Sequence, residues 1–327
     1  MFKKERNIAL AIIFLILIIT PIFDRAPYHI FVLNMVAINI ILVMALNFIL
    51  GFAGQVFLGT VGFYAIACYS TSLLTVNYGL SFWQAVPFTI IVTSILSLIL
   101  GLPTLKLKGF YLALMSSGFI YIVLDILRNW KSFTGGVWGI MGIPRPFIGT
   151  TLVRSDLHFY FIAITITLCL AIFAVLIEDS KFGRAFKAVR DDQLSSEMLG
   201  INSHMTKVLA FVMCGIYTGF AGSLFASLQG FVSPEMYTFE LNATYMCMLV
   251  VGGLGSVPGA VLGATVLTIT TELLRFLREK YLTFYALLII IVLIYMPGGI
   301  ITYVYQIIGR LFSLKNKPSQ KEEINVR

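Results

Sequence analysis

The sequence predicts an all-α fold: a polytopic membrane helical bundle of about ten transmembrane helices (eight to eleven), forming one membrane domain over residues 1–327. Three observations predict it. Hydrophobic residues make up 59% of the chain and charged residues only 12%, against roughly a quarter charged in ordinary soluble proteins. Mean hydropathy is +0.94. Apolar runs of close to twenty residues, the length that crosses a bilayer, recur along most of the chain.

The elements follow in order. After Met-Phe-Lys-Lys-Glu-Arg comes an apolar run from Ile8 to Phe23. No small-residue cleavage site follows it, so it reads as an uncleaved first helix rather than a secretory signal. Further spans are predicted at 30–50, 59–76, 82–101, 109–127, 157–177, 208–228, 237–251, 257–274 and 281–296. Two long polar interruptions separate them. Loop 128–156 is rich in Gly and Pro (Gly135, Gly136, Gly139, Gly142, Pro144, Pro146) with Trp130 and Trp138, a composition of turns. Loop 178–207 mixes acids and bases, and residues 298–327 form a polar tail.

Charge sets the orientation. The chain carries 23 basic and 15 acidic residues, net +8. That excess fits the Lys and Arg of cytoplasmic loops and gives no reason to expect nucleic acid. With the N-terminus inside, fifteen bases fall on the inner side and eight on the outer. Both termini, loop 178–207 and tail 298–327 are therefore expected in the cytoplasm, and loop 128–156 outside. The cysteines Cys68, Cys169, Cys214 and Cys247 form no CxxC pair or Cys/His cluster, so no metal site is predicted. They read as small core residues.

The cytoplasmic loop holds a partner-facing element. Phe182, Phe186 and Val189 share one helical face, with Lys181, Arg184, Lys187 and Arg190 over the remainder. Asp191 or Asp192 is placed to cap a second short helix, Gly200 sits at its C′ end, and Leu194, Met198 and Ile201 repeat the apolar spacing. Such a stripe outside the membrane must be covered by lipid headgroups, the bundle or a partner. A lipid-seeking helix is usually predominantly basic. Here Asp191, Asp192 and Glu197 balance the bases, which favours a protein.

Glycine-interrupted segments echo each other. Gly51, Gly54 and Gln55 with Gly59 follow one span, and Gly252, Gly253, Gly255 and Ser256 with Gly259 and Gly263 follow another of the same predicted direction. Paired interruptions of this kind point to a transporter's pathway. Spacing of four along Gly255, Gly259 and Gly263 equally suits close helix packing.

No GxxxxGK[ST], HExxH or GxSxG is present, and no carboxylate pair lies at mid-membrane depth, so no catalytic residues are assigned. Asp125, Glu240 and Glu272 all fall near predicted span ends. Polar residues within spans are mostly neutral (Asn34, Asn39, Asn47, Gln55, Thr93, Asn242) and are expected chiefly to tie helices together. The energy source is therefore expected on another polypeptide. The alternative is an ion-coupled secondary transporter acting as a single chain, against which the scarcity of mid-span ionisable groups counts.

Five segments in order carry a resemblance: Gly51-Phe-Ala-Gly-Gln-Val-Phe-Leu-Gly59, Gly109-Phe-Tyr-Leu-Ala113, Phe133 through Pro146, Ser180-Lys-Phe-Gly-Arg-Ala-Phe-Lys-Ala-Val-Arg-Asp191 with Glu197-Met-Leu-Gly-Ile201, and Val251-Gly-Gly-Leu-Gly-Ser256. Together they resemble the LivM-type permease subunits of branched-chain amino-acid ABC importers, over nearly the whole chain beyond the first helix. The resemblance implies a type II ABC-importer-like permease in a bacterial or archaeal cytoplasmic membrane. It implies a homologous LivH-like membrane partner, two cytoplasmic ATPases binding ATP-Mg (with no cofactor in this chain), and an extracytoplasmic solute-binding protein. Arg184, Phe186, Arg190, Asp191, Leu194, Glu197, Met198 and Gly200 then belong to the ATPase-coupling loop. Thr134, Gly135, Gly136, Gly139 and Pro144 face the binding protein or the vestibule. The chain departs from the general Glu-Ala-Ala-x3-Gly importer pattern, reading Ser195-Ser196-Glu197 before Gly200.

Overall fold

Helix α2 (Pro27–Leu46) is apolar on every face, which suits a helix surrounded by protein. With the π-helical turn Asn47–Phe52 that continues it, 89% of its most apolar 18-residue stretch is buried, and the bundle is built around it. The computed structural model describes residues 2–23, 26–104, 107, 109–148, 151–152, 155–274, 286–287, 289–290, 294–296 and 298–306. Its helices are α1 (Phe2–Phe23), α2, α3 (Thr60–Val76), α4 (Phe82–Thr104), α5 (Phe110–Asn129), the single turn α6 (Lys131–Thr134), α7 (Asp156–Asp179), α8 (Lys181–Asp191), α9 (Gln193–Met198), α10 (Ser203–Gln229), α11 (Phe239–Gly252) and α12 (Val257–Leu274).

Among the described residues, seven helices are long and apolar enough to cross a membrane, α3 is a shorter apolar helix, and α11 is 14 residues long. Nine of the ten predicted spans thus appear as helices. Of the tenth, 281–296, only 286–287, 289–290 and 294–296 are described, with 286–287, 289–290 and 294–295 helical; most of the tail 298–327 lies outside the described residues, although 300–306 is helical. The chain is a polytopic helical membrane bundle.

Helix α10 is the second axis, packed on α2, α3 and α4. Gly215 and Gly219 lie against Thr93, Ser97 and Ile90 of α4, so those two helices touch at their backbones. Around this pair, α1, α4 and α5 present long apolar faces outward. Neutral polar residues tie the helices as expected. Asn34 donates to the Asp156 carbonyl (3.2 Å), Asn39 to the Thr268 hydroxyl (2.9 Å), and the Asn242 carbonyl oxygen accepts from the Val61 amide (3.4 Å). Cys68 and Cys214 are core residues and Cys247 is half-buried. Cys169 is exposed on α7, contrary to the reading of all four as core, because its position faces away from α2.

The segment 53–59 is not helical. It runs irregularly from the end of α2 into the bundle, and the amide of Leu58 is taken up by the Ser116 hydroxyl (2.9 Å). Helix α3 therefore begins beside Asn242, near the start of α11, while Gly252 marks the other end of α11, roughly 15 Å along its axis. Irregular backbone at such depth is tolerated where protein or a cavity surrounds it. Here Ala53, Phe57 and Gly59 are buried, while Gly54 and Val56 are exposed.

Helix α1 is fixed at the α8 end of the bundle by ion pairs. Arg6 grips Asp179 with both guanidinium arms (2.9 and 2.7 Å) and lies 3.6 Å from Glu178, which also holds Lys187 of α8 (3.0 Å). Stripping one partner from a buried ion pair costs about 3 kcal/mol or more. Arg6→Met is therefore expected to lower the midpoint of unfolding in an SDS titration by a corresponding amount. An unchanged midpoint would show that α1 is held by its apolar face alone.

Candidate functional site: the α8–α9 loop and the glycine crossing

Local chemistry builds the loop. The Ser180 hydroxyl caps α8 by accepting from the amides of Phe182 (3.1 Å) and Gly183 (3.4 Å). Asp192 caps α9, its carboxylate accepting from the amides of Leu194 (2.9 Å) and Ser195 (3.2 Å) and from the Ser195 hydroxyl (2.8 Å). These bonds hold the Asp192 carboxyl below the usual aspartate range. At the other end Gly200 has φ +81°, its amide bonding the Glu197 carbonyl while that of Ile201 bonds the Ser196 carbonyl (each 3.0 Å). That pattern is a Schellman stop. The capping residues Asp192 and Gly200 stand where the sequence places them.

The loop divides its side chains between two faces. Phe186 and Val189 point into the bundle, so Phe186 anchors α8 from within; Phe182 is exposed. Helix α9 is strapped to the first turns of α10. Lys207 donates to Gln193 (2.8 Å), Gln193 donates to Glu197 (2.9 Å) and Ser203 (3.3 Å), and the Ser203 hydroxyl donates to Glu197. This leaves Leu194, Met198 and Leu199 exposed at 67%, 82% and 81%. Ile201, assigned to the same stripe by spacing, is half-buried, and Leu199 takes its place. Helical periodicity stops at the C-cap, which is residue 199 itself. Arg184 and Asp191 are exposed.

The two echoing glycine segments lie against each other at this same end of the bundle. The Asn47 amide donates to the Ser256 carbonyl (3.3 Å) and its side-chain oxygen accepts from the Gly255 amide (3.0 Å). Helices α2 and α11 therefore end side by side, running in one direction. Deeper in, Gly252 packs on Gly259 and Gly263, so α11 and α12 cross at backbone contact and the packing role of these glycines is realised. Gly253 lies against Ile301. Gln55 is half-buried on the irregular segment, and Gly59 is buried beside Ser116.

Arg190 joins the two groups of candidate residues. Its side chain stays 37% exposed while its guanidinium donates to the Gly51 carbonyl (2.9 Å), with Asp191 at 3.4 Å. Sequence reasoning placed this side chain with the outward residues of the loop, and it is exposed; its bond to a distant carbonyl was missed, since an arginine on an amphipathic helix gives no local sign of such a partner. Asn47 and Leu199 were not named as site residues. Asn47 could have been found as a polar residue flanking the first glycine segment.

At the opposite end, Thr134 is buried, donating to the carbonyls of Leu127 (2.6 Å) and Trp130 (2.9 Å) and accepting from the Gly136 amide (3.2 Å). Strand β1 (Ile140–Met141) would be unsupported alone; it pairs antiparallel with 231–232, and the Ile143 amide bonds the Gly230 carbonyl (3.1 Å). Arg128–Glu235 (3.0 Å) and Arg145–Asp156 (2.7 Å) brace the loop further. Gly135 and Gly139 take φ of +75° and +68°, and Pro144 is half-buried. The loop is thus a fixed platform carrying Trp138, 84% exposed, with Val137 and Met141 beside it.

The profile of the family described as branched-chain amino acid transport system / permease component matches residues 28–296. The chain is 34% identical over 291 residues to the high-affinity branched-chain amino acid transport system permease protein LivM of Salmonella typhimurium LT2, covering 82% of this chain and 68% of the relative. Against LivM of Escherichia coli K12 it is 34% identical over 287 residues, covering 81% and 68%. It is 32% identical over 202 residues to the autoinducer 2 import system permease protein LsrC of Salmonella paratyphi B, covering 58% and 57%. No solved structure matches the chain.

Proposed function

Since the chain belongs to the permease family of branched-chain amino acid transport systems, as a LivM-type permease subunit of an ABC importer, we propose that it forms half of a pathway for branched-chain amino acids or related small neutral or zwitterionic solutes. It lies in a bacterial or archaeal cytoplasmic membrane with both termini and the α8–α9 loop in the cytoplasm. A homologous LivH-like subunit supplies the other half. Two ATPases holding ATP-Mg dock on the α8–α9 loop, and a solute-binding protein delivers substrate to the platform around Trp138. The chain itself carries no hydrolytic step.

The single observation that carries this reading is the stripe Leu194, Met198 and Leu199. It sits on a helix capped at both ends and strapped to α10, yet its apolar side chains meet water. A rigid helix with an uncovered apolar face suits a protein groove. The irregular segment 53–59, with Gly54, Gln55 and Val56 on its open side, is the proposed lining of the pathway. The binding protein is assigned most of the selectivity, and a relative named for import of another small molecule, autoinducer 2, shows that permeases similar to this chain serve different cargoes.

The test is purification of the chain from its native membrane with identification of stoichiometric companions by mass, followed by reconstitution into vesicles. A second hydrophobic subunit, two P-loop ATPases and leucine uptake that requires ATP are expected. Uptake by the chain alone, driven by a proton or sodium gradient, would overturn the reading in favour of a secondary transporter.

A further inference from the structure

Arg190, its side chain 37% exposed and its guanidinium 3.4 Å from the Asp191 carboxylate, rests on a cradle of backbone. Helix α2 and its π-helical turn end at Phe52, so the Gly51 carbonyl is among the last of a helix and lacks a partner within it. Arg190 supplies that partner at 2.9 Å. Gly54, at φ +66°, lies against the stem of the same side chain: a Cβ there would meet the Arg190 Cγ at 2.5 Å and Cβ at 3.2 Å. Gly255, at φ +72°, flanks the guanidinium from the other side, and a Cβ would meet its Nη1 at 2.6 Å and the Gly51 carbonyl oxygen at 3.0 Å. Only glycine leaves room at either position.

These three glycines belong to three different parts of the bundle. Gly51 lies in the last turn of the central helix, Gly54 near the start of the irregular segment leading to α3, and Gly255 in the turn between α11 and α12. Asn47 closes the arrangement by holding Gly255 and Ser256. The stem of Arg190 stands one residue before the end of α8, directly beside α9 with its exposed stripe.

From this geometry we infer that Arg190 is the positioning residue through which movement of the α8–α9 loop reaches the pathway. A displacement of α9 carries Arg190 with it, and Arg190 in turn moves the Gly51–Gly54 and Gly255 backbones, to which α3, α11 and α12 are attached. A charge-assisted hydrogen bond to a carbonyl, packed between glycines, transmits both pull and push. The inference rests on the reading of the chain as an ATPase-driven permease, and it assigns to Arg190 a role in coupling rather than in docking.

The experiment compares wild type, Arg190→Gln, Arg190→Lys and Gly54→Ala in the complete complex, with both membrane subunits, the ATPases and the binding protein, reconstituted into vesicles. Labelled leucine uptake and ATP hydrolysis are measured on the same preparation, with ATPase retention as a third readout. Arg190→Gln is expected to assemble normally and to take up about tenfold less leucine per ATP hydrolysed, within the usual range of coupling between sites. Arg190→Lys, which keeps a charged donor but not the planar fork, is expected to recover part of the loss. Gly54→Ala keeps the arginine but wedges it out of place and is expected to uncouple likewise. Unchanged leucine per ATP in both Arg190→Gln and Gly54→Ala overturns the inference. So does loss of ATPase retention in every variant, which would make Arg190 a structural residue. A wild-type complex that takes up no leucine with ATP overturns the transport reading itself, and the coupling role with it.

Discussion

Replacing Leu194 and Met198 together with aspartate is expected to strip the ATPases from the complex and abolish transport, while the chain still inserts and folds. Both side chains are exposed, 67% and 82%, so the bundle loses no packing when they change. Surface substitutions of that kind usually shift stability by less than about 0.5 kcal/mol. The interface is a different matter. Removing one apolar anchor from a protein–protein contact costs about 2 kcal/mol or more, and two buried carboxylates add a desolvation penalty, so affinity should fall about a hundredfold or further. The readout is ATPase retention during purification in mild detergent, with size-exclusion profile and thermal midpoint reporting the fold. A double variant that keeps its ATPases and transports normally would move the docking surface away from α9.

Asp192 and Gly200 were legible from sequence because capping is local: an acid at the N-cap and a glycine in the left-handed region act within their own turn of chain. The spans were legible for a similar reason, since bilayer thickness imposes its length on each apolar run. The role of Arg190 was not legible. Basic residues along an amphipathic helix suit solvent, headgroups, an acidic partner or a distant carbonyl equally well, and here the carbonyl belongs to Gly51, at a separation of 139 residues. The depth at which α3 begins was hidden too. Its first residue, Thr60, was nearly right, but a boundary in sequence carries no coordinate along the membrane normal. What the structure adds is its position in the bundle, beside the start of α11, through the pairing of Val61 with Asn242.

The glycines show the same division, and they set up the other large effect. Spacing of four in the sequence marked Gly255, Gly259 and Gly263 as one face, but Gly255 lies in the turn before α12 against Gly51 and Arg190, and only Gly259 and Gly263 share the helical face; nor did the spacing say which helix meets it. That helix is α11, with Gly252 at the crossing. A Cβ on Gly263 would overlap the Met248 carbonyl oxygen and stand 2.8 Å from both the Cα and the nitrogen of Gly252. These are backbone atoms, so no rotamer change relieves the clash, and α11 and α12 must separate. They cannot separate freely, because Asn47 clamps their connecting turn to the end of α2. Gly263→Val is therefore expected to cost about 3 kcal/mol or more, the upper part of the range for overpacking. It should appear as a lowered thermal midpoint and loss of a monodisperse complex. Gly118→Ala is the control, since a Cβ at Gly118 of α5 meets nothing within 4 Å. There the substitution should leave the midpoint unchanged or raise it, by up to about 1 kcal/mol of helix propensity. Equal behaviour of the two variants would mean that α11 and α12 yield at their crossing, and that the turn bearing Gly255 is not held rigidly against Gly51 and Arg190.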